Sequence, residues 1–171
     1  MPTPADKILP KMFSTRDELM ALVKDLDQAA LTWRPSEGAW SIRDNLAHLV
    51  DAERAHRRFV EVVLEGRSIH LEGFDLDRWN QEHVTRRAEQ SIDDILDALR
   101  VERQKTLAFI STIPPDSWEQ RGDHPALGDV SVRQVIKVIG VHERMHLKEI
   151  RKLLEMQDET IKNTADTAEC G

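Results

Sequence analysis

Val138–Ile150, VIGVHERMHLKEI, decides how the rest of the chain is read. Apolar residues at Val132, Val135, Ile139, Ile150 and Leu153 recur at helical spacing, and His142 and His146 fall on that stripe. Residues four apart on a helix are neighbours, so both rings can reach one metal ion without bending the backbone. The alternative is a pair of core histidines hydrogen-bonded to buried partners. A metal held by two side chains would be weak, so the metal reading requires a third ligand from elsewhere.

Working outward, Ser131 opens the helix that carries this stretch, which is predicted to run to about Met156. Upstream, Ser41 and Asp44 form a capping-box pattern at the start of a helix reaching about Leu64, with Ile42, Leu46, Leu49, Val60 and Val63 as its buried seam. His48 lies on the flank of that seam, and Glu53 and His56 lie on it. Ser14 is predicted to cap a first helix through Leu19, Leu22, Val23 and Leu26, ending near Ala29 or Ala30. Ser91 caps another, through Ile92, Leu96, Leu99, Thr106 and Ile110, with Arg103 on the same face. Pro114 and Pro115 stop it, and WEQRGDHPALGD reads as a loop. Residues 66–90 are long for a simple connection, and FDLDRWNQEHV within them reads as a short helix with Phe74 and Trp79 as anchors or a lid. No strand-like alternation of any length is visible. The predicted architecture is therefore an all-α four-helix bundle, with residues 1–156 as one domain and 157–171 as a polar, flexible tail.

The 171 residues suit one core, and the net charge of −7 argues against nucleic acid or an anionic membrane as the main partner. The N-terminus lacks a signal-peptide pattern and no segment approaches a membrane span, so a cytoplasmic protein is expected. The single cysteine, Cys170, lies in a polar tail and supports neither a disulfide nor a buried nucleophile.

His48 is the best third ligand: it pairs a helix-two position with the two imidazoles of the last helix. Three histidines leave coordination positions open, which implies chemistry or ligand exchange rather than purely structural metal. Such an ion would deprotonate a bound water or thiol near neutral pH. Glu53, Glu149 and Glu143 are candidates to orient a ring or move a proton, Glu53 first, although a structural salt bridge to Arg103 accounts for it equally well. His124, ahead of Pro125, is placed to overhang the site. His70 and His83 read as solvated.

His142-Glu143-Arg144-Met145-His146 also satisfies H-E-x-x-H, the zinc-peptidase pattern with glutamate as base. The metzincin continuation is absent, however, and no strand is present to hold an extended peptide. On the helical reading Glu143 is turned about 100° from His142 and faces solvent.

Together, WRPSEGAWSIRDNLAHLVDAE (33–53) and HPALGDVSVRQVIKVIGVHERMHLKEI (124–150) resemble the DinB-like (DinB/YfiT) metalloprotein superfamily, over about residues 14–156. The resemblance implies an up-down-down-up bundle with a divalent metal, zinc or nickel, on His48, His142 and His146. It also implies a small-molecule substrate, because characterised members include bacillithiol S-transferases and mycothiol-dependent maleylpyruvate isomerases, which use a low-molecular-weight thiol. Arg103 and Arg34 are candidates for an anionic substrate or cofactor. A non-catalytic, stress-related metal-binding bundle is the alternative, and pairing of two copies through exposed helix faces is expected.

Overall fold

The computed structural model describes residues 4–69 and 71–169, so His70 and Cys170 lie outside the described residues. Four long helices make the bundle: α1 (Pro4–Val23), α3 (Ile42–Leu64), α5 (Ile92–Thr112) and α6 (Val132–Glu169). Two short helices, α2 (Gln28–Thr32) and α4 (Leu76–Arg86), and a hairpin of β1 (Arg121–His124) and β2 (Gly128–Ser131) fill the connections. α3 packs against both α5 and α6, and α1 against α6 and α5, which puts α1 and α3 on diagonal corners. No helix among the described residues is long and apolar enough to cross a membrane.

Local chemistry explains most boundaries. Ser41 with Asp44, and Ser91 with Asp94, form complete capping boxes that satisfy backbone N–H groups at the starts of α3 and α5. Ser131 and Gln134 exchange equivalent bonds at the start of α6. Asp75 caps α4 through the Arg78 N–H.

Four boundaries differ from expectation. α1 ends at Val23 rather than near Ala29 or Ala30, and Asp27 caps α2 as a separate helix. α1 begins at Pro4, and Ser14 caps nothing: its hydroxyl donates back to the Lys11 carbonyl, while Pro10 lies on the exposed face. α6 continues past Met156, because nothing between Gln157 and Glu169 is a proline or glycine that would stop it. Most of the predicted loop at 118–129 belongs to a hairpin over 121–131, with Arg121 paired to Ser131 and His124 to Gly128. Its strands are four residues each and too short to show alternation, while Gly128 at φ +70° closes a three-residue turn.

The apolar core falls into two clusters along the bundle. One holds Leu19, Leu46, Leu49, Val50, Leu99, Leu147 and Ile150. The other holds Met12, Phe59, Val60, Ile110, Val135, Ile136 and Ile139. Between them in sequence, each long helix contributes a residue to one buried charge cluster: Arg16, Glu53, Arg103 and Glu143, all under 7% exposed.

Candidate metal centre

The three histidines converge. One ring nitrogen each of His48, His142 and His146 lies within 4.8 Å of the others. His142 Nε2 is 3.2 Å from His48 Nε2 and 3.1 Å from His146 Nε2. Nitrogens about 2.0–2.1 Å from a tetrahedral ion are about 3.3–3.4 Å apart, so the observed spacing suits a shared cation.

Hydrogen bonding fixes which nitrogen of His146 faces inward. Asn45 Nδ2 donates to the Ser41 carbonyl at 2.8 Å, which turns Asn45 Oδ1 toward His146 Nδ1, 2.7 Å away. That oxygen can only accept, so His146 carries its proton on Nδ1 and presents a bare Nε2 lone pair. A proton on His142 Nε2 can serve one neighbour well and not both, whereas a cation serves all three. His48 is held by packing rather than by bonding. Its Nδ1 is buried without a partner, and its ring lies 5.0 Å from Trp40 and 6.4 Å from Trp79.

Burial drives all three imidazoles to the neutral, ligating form. His48 is pushed down to about 2 by desolvation and then by its histidine neighbours. His146 falls to about 3 for the same reasons, and burial lowers His142. The residues present thus fit a divalent metal, with soft-to-borderline nitrogen donors suited to zinc or nickel.

Glu53 takes the structural alternative, the salt bridge to Arg103, and Glu143 joins the same cluster. Arg103 Nε and Nη2 bind the Glu53 carboxylate at 2.8 and 3.2 Å, Nη2 also binds Glu143 at 2.7 Å, and Nη1 donates to the Met12 carbonyl. Arg16 reaches Glu53 at 2.9 Å and also bonds Glu143 and the Leu99 carbonyl. Burial opposes the Glu53 charge, but Arg103 and Arg16 outweigh it and hold the carboxyl below its ordinary range. Glu143 is 1% exposed, so the expectation that it faces solvent is wrong. It continues the seam Ile139–Glu143–Leu147 at four-residue steps, and the histidines lie beside that seam, half-buried and turned toward α3. Both oxygens of Glu143 accept from guanidinium groups, which leaves no free base for the H-E-x-x-H reading. Arg103 likewise has its donors engaged inside the bundle and none directed at a ligand. Arg34 pairs with Asp44 at 2.7 Å.

A cavity of about 210 Å3 opens on His48 and His142. Ala52, Ala55 and His56 of α3 line one side, Leu76, Trp79 and Asn80 of α4 another, and His124, Ala126 and Leu127 of the hairpin a third. Arg87, just past α4, grips Asp51 of α3 with two bonds of 2.6 and 2.9 Å, which pins that wall. Trp79 is half-buried and stacks on His83 at 3.8 Å, so His83 is not the solvated residue expected. His124 lines the same cavity, but its ring meets His56, at 3.2 Å, and Phe59 rather than the three histidines.

The DinB superfamily profile matches residues 14–150. The chain belongs to the DinB superfamily. YuaE of Bacillus subtilis (strain 168), which is uncharacterised, is 29% identical over 143 residues, 78% of this chain and 88% of its own. YfiT from Bacillus subtilis, described as a probable metal-dependent hydrolase with an unusual four-helix bundle topology, superposes with a TM-score of 0.74 at 15% identity, covering 90% of this chain and 87% of its own. The H52A mutant of the mycothiol-dependent maleylpyruvate isomerase superposes at 0.70 and 13% identity, over 88% of this chain and 63% of the isomerase. These two structures establish the DinB fold of the bundle.

Sequence reasoning missed Asn45, Arg16 and Asn80. Asn45 lies one turn before Leu49 and three residues before His48, on the buried face where an amide needs a partner. Arg16 lies between Met12 and Leu19 on the apolar seam of α1, the same signal that marked Arg103.

Proposed function

We propose that this protein is a metal-dependent enzyme acting on a small molecule, with the ion on His48, His142 and His146 and the substrate in the adjoining cavity. The observation that carries this reading is the meeting of three Nε2 atoms, one of them held bare by Asn45. When bound, a divalent ion with three neutral ligands lowers the pKa of a coordinated water or thiol and supplies a nucleophile near neutral pH.

The chain's own residues do the rest. Asn45 orients His146, Trp40 packs against His48 and His146, and the buried imidazoles stay unprotonated. Trp79, Leu76 and Leu127 give the cavity apolar surface against which apolar parts of a substrate can pack. A substrate is thus a compact, largely apolar molecule rather than a polypeptide or a nucleic acid.

Hydrolysis is the first reaction class, by analogy with the description of YfiT. Transfer of a low-molecular-weight thiol is the second, favoured by the likeness of the fold to the mycothiol-dependent isomerase. The test starts with elemental analysis of protein purified without a histidine tag. It continues with metal-loaded protein assayed on ester and amide panels and on conjugation of small thiols to electrophiles. One divalent ion per chain, with one activity abolished by His48→Ala, is the expected result. Metal binding with no turnover in any panel would favour the non-catalytic binding role, and no metal at all would end the proposal.

A further inference from the structure

The same cavity holds a second imidazole pair that the metal reading does not use. His56 Nδ1 lies 3.2 Å from His124 Nε2, and His124 Nδ1 accepts the backbone N–H of Ala126 at 3.1 Å. The hairpin turn makes this second contact possible by bringing the Ala126 N–H back to the edge of the His124 ring, and that ring also lies 4.6 Å from Phe59.

These two contacts assign every proton. A ring nitrogen that accepts a hydrogen bond carries no proton, so His124 is neutral and holds its single proton on Nε2. A proton on His56 Nδ1 would therefore collide with it, and His56 Nδ1 must be the acceptor. The one nitrogen left to carry the His56 proton is Nε2. His124 also cannot ligate a metal in this state, since one of its nitrogens accepts and the other donates. Asn80, on α4, lines the same cavity, and its Oδ1 is buried without a hydrogen-bond partner.

We propose that His56 Nε2–H is a fixed hydrogen-bond donor for an oxygen of the substrate, that Asn80 Oδ1 accepts an N–H or O–H of the same molecule, and that His124 is the positioning residue that keeps His56 in its donor form. The class of ligand this pair fits is a small carboxamide or related carbonyl compound with an adjacent N–H or O–H. A neutral donor of fixed direction suits a carbonyl oxygen, and an orphaned acceptor in the same cavity suits an amide hydrogen. This inference rests on the substrate occupying the cavity beside the metal, as proposed above.

Two measurements test it. Long-range proton–nitrogen NMR of the metal-free protein reads the tautomers directly, and the expected result is Nε2–H on both His56 and His124. His124→Phe should then let His56 populate the Nδ1–H form. A proton on His56 Nδ1 in the wild type overturns the proposal, whether or not metal binds. The second measurement is binding of acetohydroxamate, which carries a carbonyl and an N–OH, to cobalt-loaded protein followed by its visible spectrum. His56→Ala and Asn80→Leu should each weaken it about 5- to 10-fold, and His56→Gln should recover part of the loss. Metal content should stay at the wild-type level in all of them. Unchanged probe affinity in His56→Ala with metal intact overturns the proposal and leaves the metal centre standing. Wild-type protein that holds cobalt but not the probe also overturns it. Loss of metal from the wild type counts against the metal centre instead, and the tautomer result then decides this proposal alone.

Discussion

Glu143→Gln separates two meanings of H-E-x-x-H. In a peptidase the change removes the base and leaves the fold intact. Here Glu143 is one of two carboxylates balancing two guanidinium groups, and its side chain is 1% exposed. Glutamine leaves Arg16 and Arg103 facing Glu53 alone, with one uncompensated positive charge between two apolar clusters. Removing one partner of a buried ion pair costs about 3–5 kcal/mol, and the retained amide oxygen, which still accepts from one guanidinium, points to the lower end, about 3 kcal/mol. For a chain of this size that is about 6–12 °C in Tm. Urea and thermal unfolding would measure it, with elemental analysis in parallel at saturating metal, where occupancy should be unchanged. Replacing all four charges together (Arg16→Met, Glu53→Leu, Arg103→Met, Glu143→Leu) should restore most of the lost stability. A Glu143→Gln protein within about 0.5 kcal/mol of wild type, or one that is equally stable but inactive, would refute the reasoning.

Asn45→Ala should weaken metal binding about 10- to 100-fold by freeing the His146 ring, whereas His48→Ala should abolish stoichiometric binding; titration calorimetry distinguishes the two. The metal-free protein should lose stability as pH falls below about 6.5, where the unfolded chain takes up protons that the folded one refuses. His48, His56 and His146, pushed down to about 2, 3 and 3 chiefly by burial, should each cost about 2 kcal/mol at pH 5 relative to pH 7.5, and urea midpoints at the two pH values check this. Gly122→Ala should destabilise by about 1–3 kcal/mol, since a Cβ there would lie 2.6 Å from Val63 Cγ2 and 3.1 Å from Phe59 Cζ. The displaced hairpin should also move the His124 ring resonances.

The starts of α3 and α5 were legible because serine and aspartate three apart leave a plain mark on the chain, as at Ser41 and Asp44, whereas the same spacing at Ser14 and Asp17 falls inside α1 and starts no helix. The three-histidine group was legible too, since i, i+4 imidazoles on one helix and a flanking imidazole on another have few ways to be satisfied. The hairpin was hidden by its length: two strands of four residues carry no periodic signal, and Gly128 alone does not distinguish a turn from a loop. Glu143 was misread because its charge masked its place on the Ile139–Leu147 seam. The partnership of His56 with His124 joins residues far apart in the chain, and no local pattern announces it. Trp79 and Asn80 could be assigned to a short helix but not to a wall of the cavity, because that requires knowing where α4 docks.

The three clustered ring nitrogens come from α3 and α6 alone, the cavity adds α4 and the hairpin, and α1 and α5 contribute to neither. On the proposed function, selectivity and ion retention are therefore separable traits. Changes in α4 or in the hairpin turn can alter which molecules are accepted while the ion stays where it is. Mutations in α1 and α5 act on the site only at a distance, through Arg16 and Arg103, and should be felt first as lost rigidity rather than as altered preference.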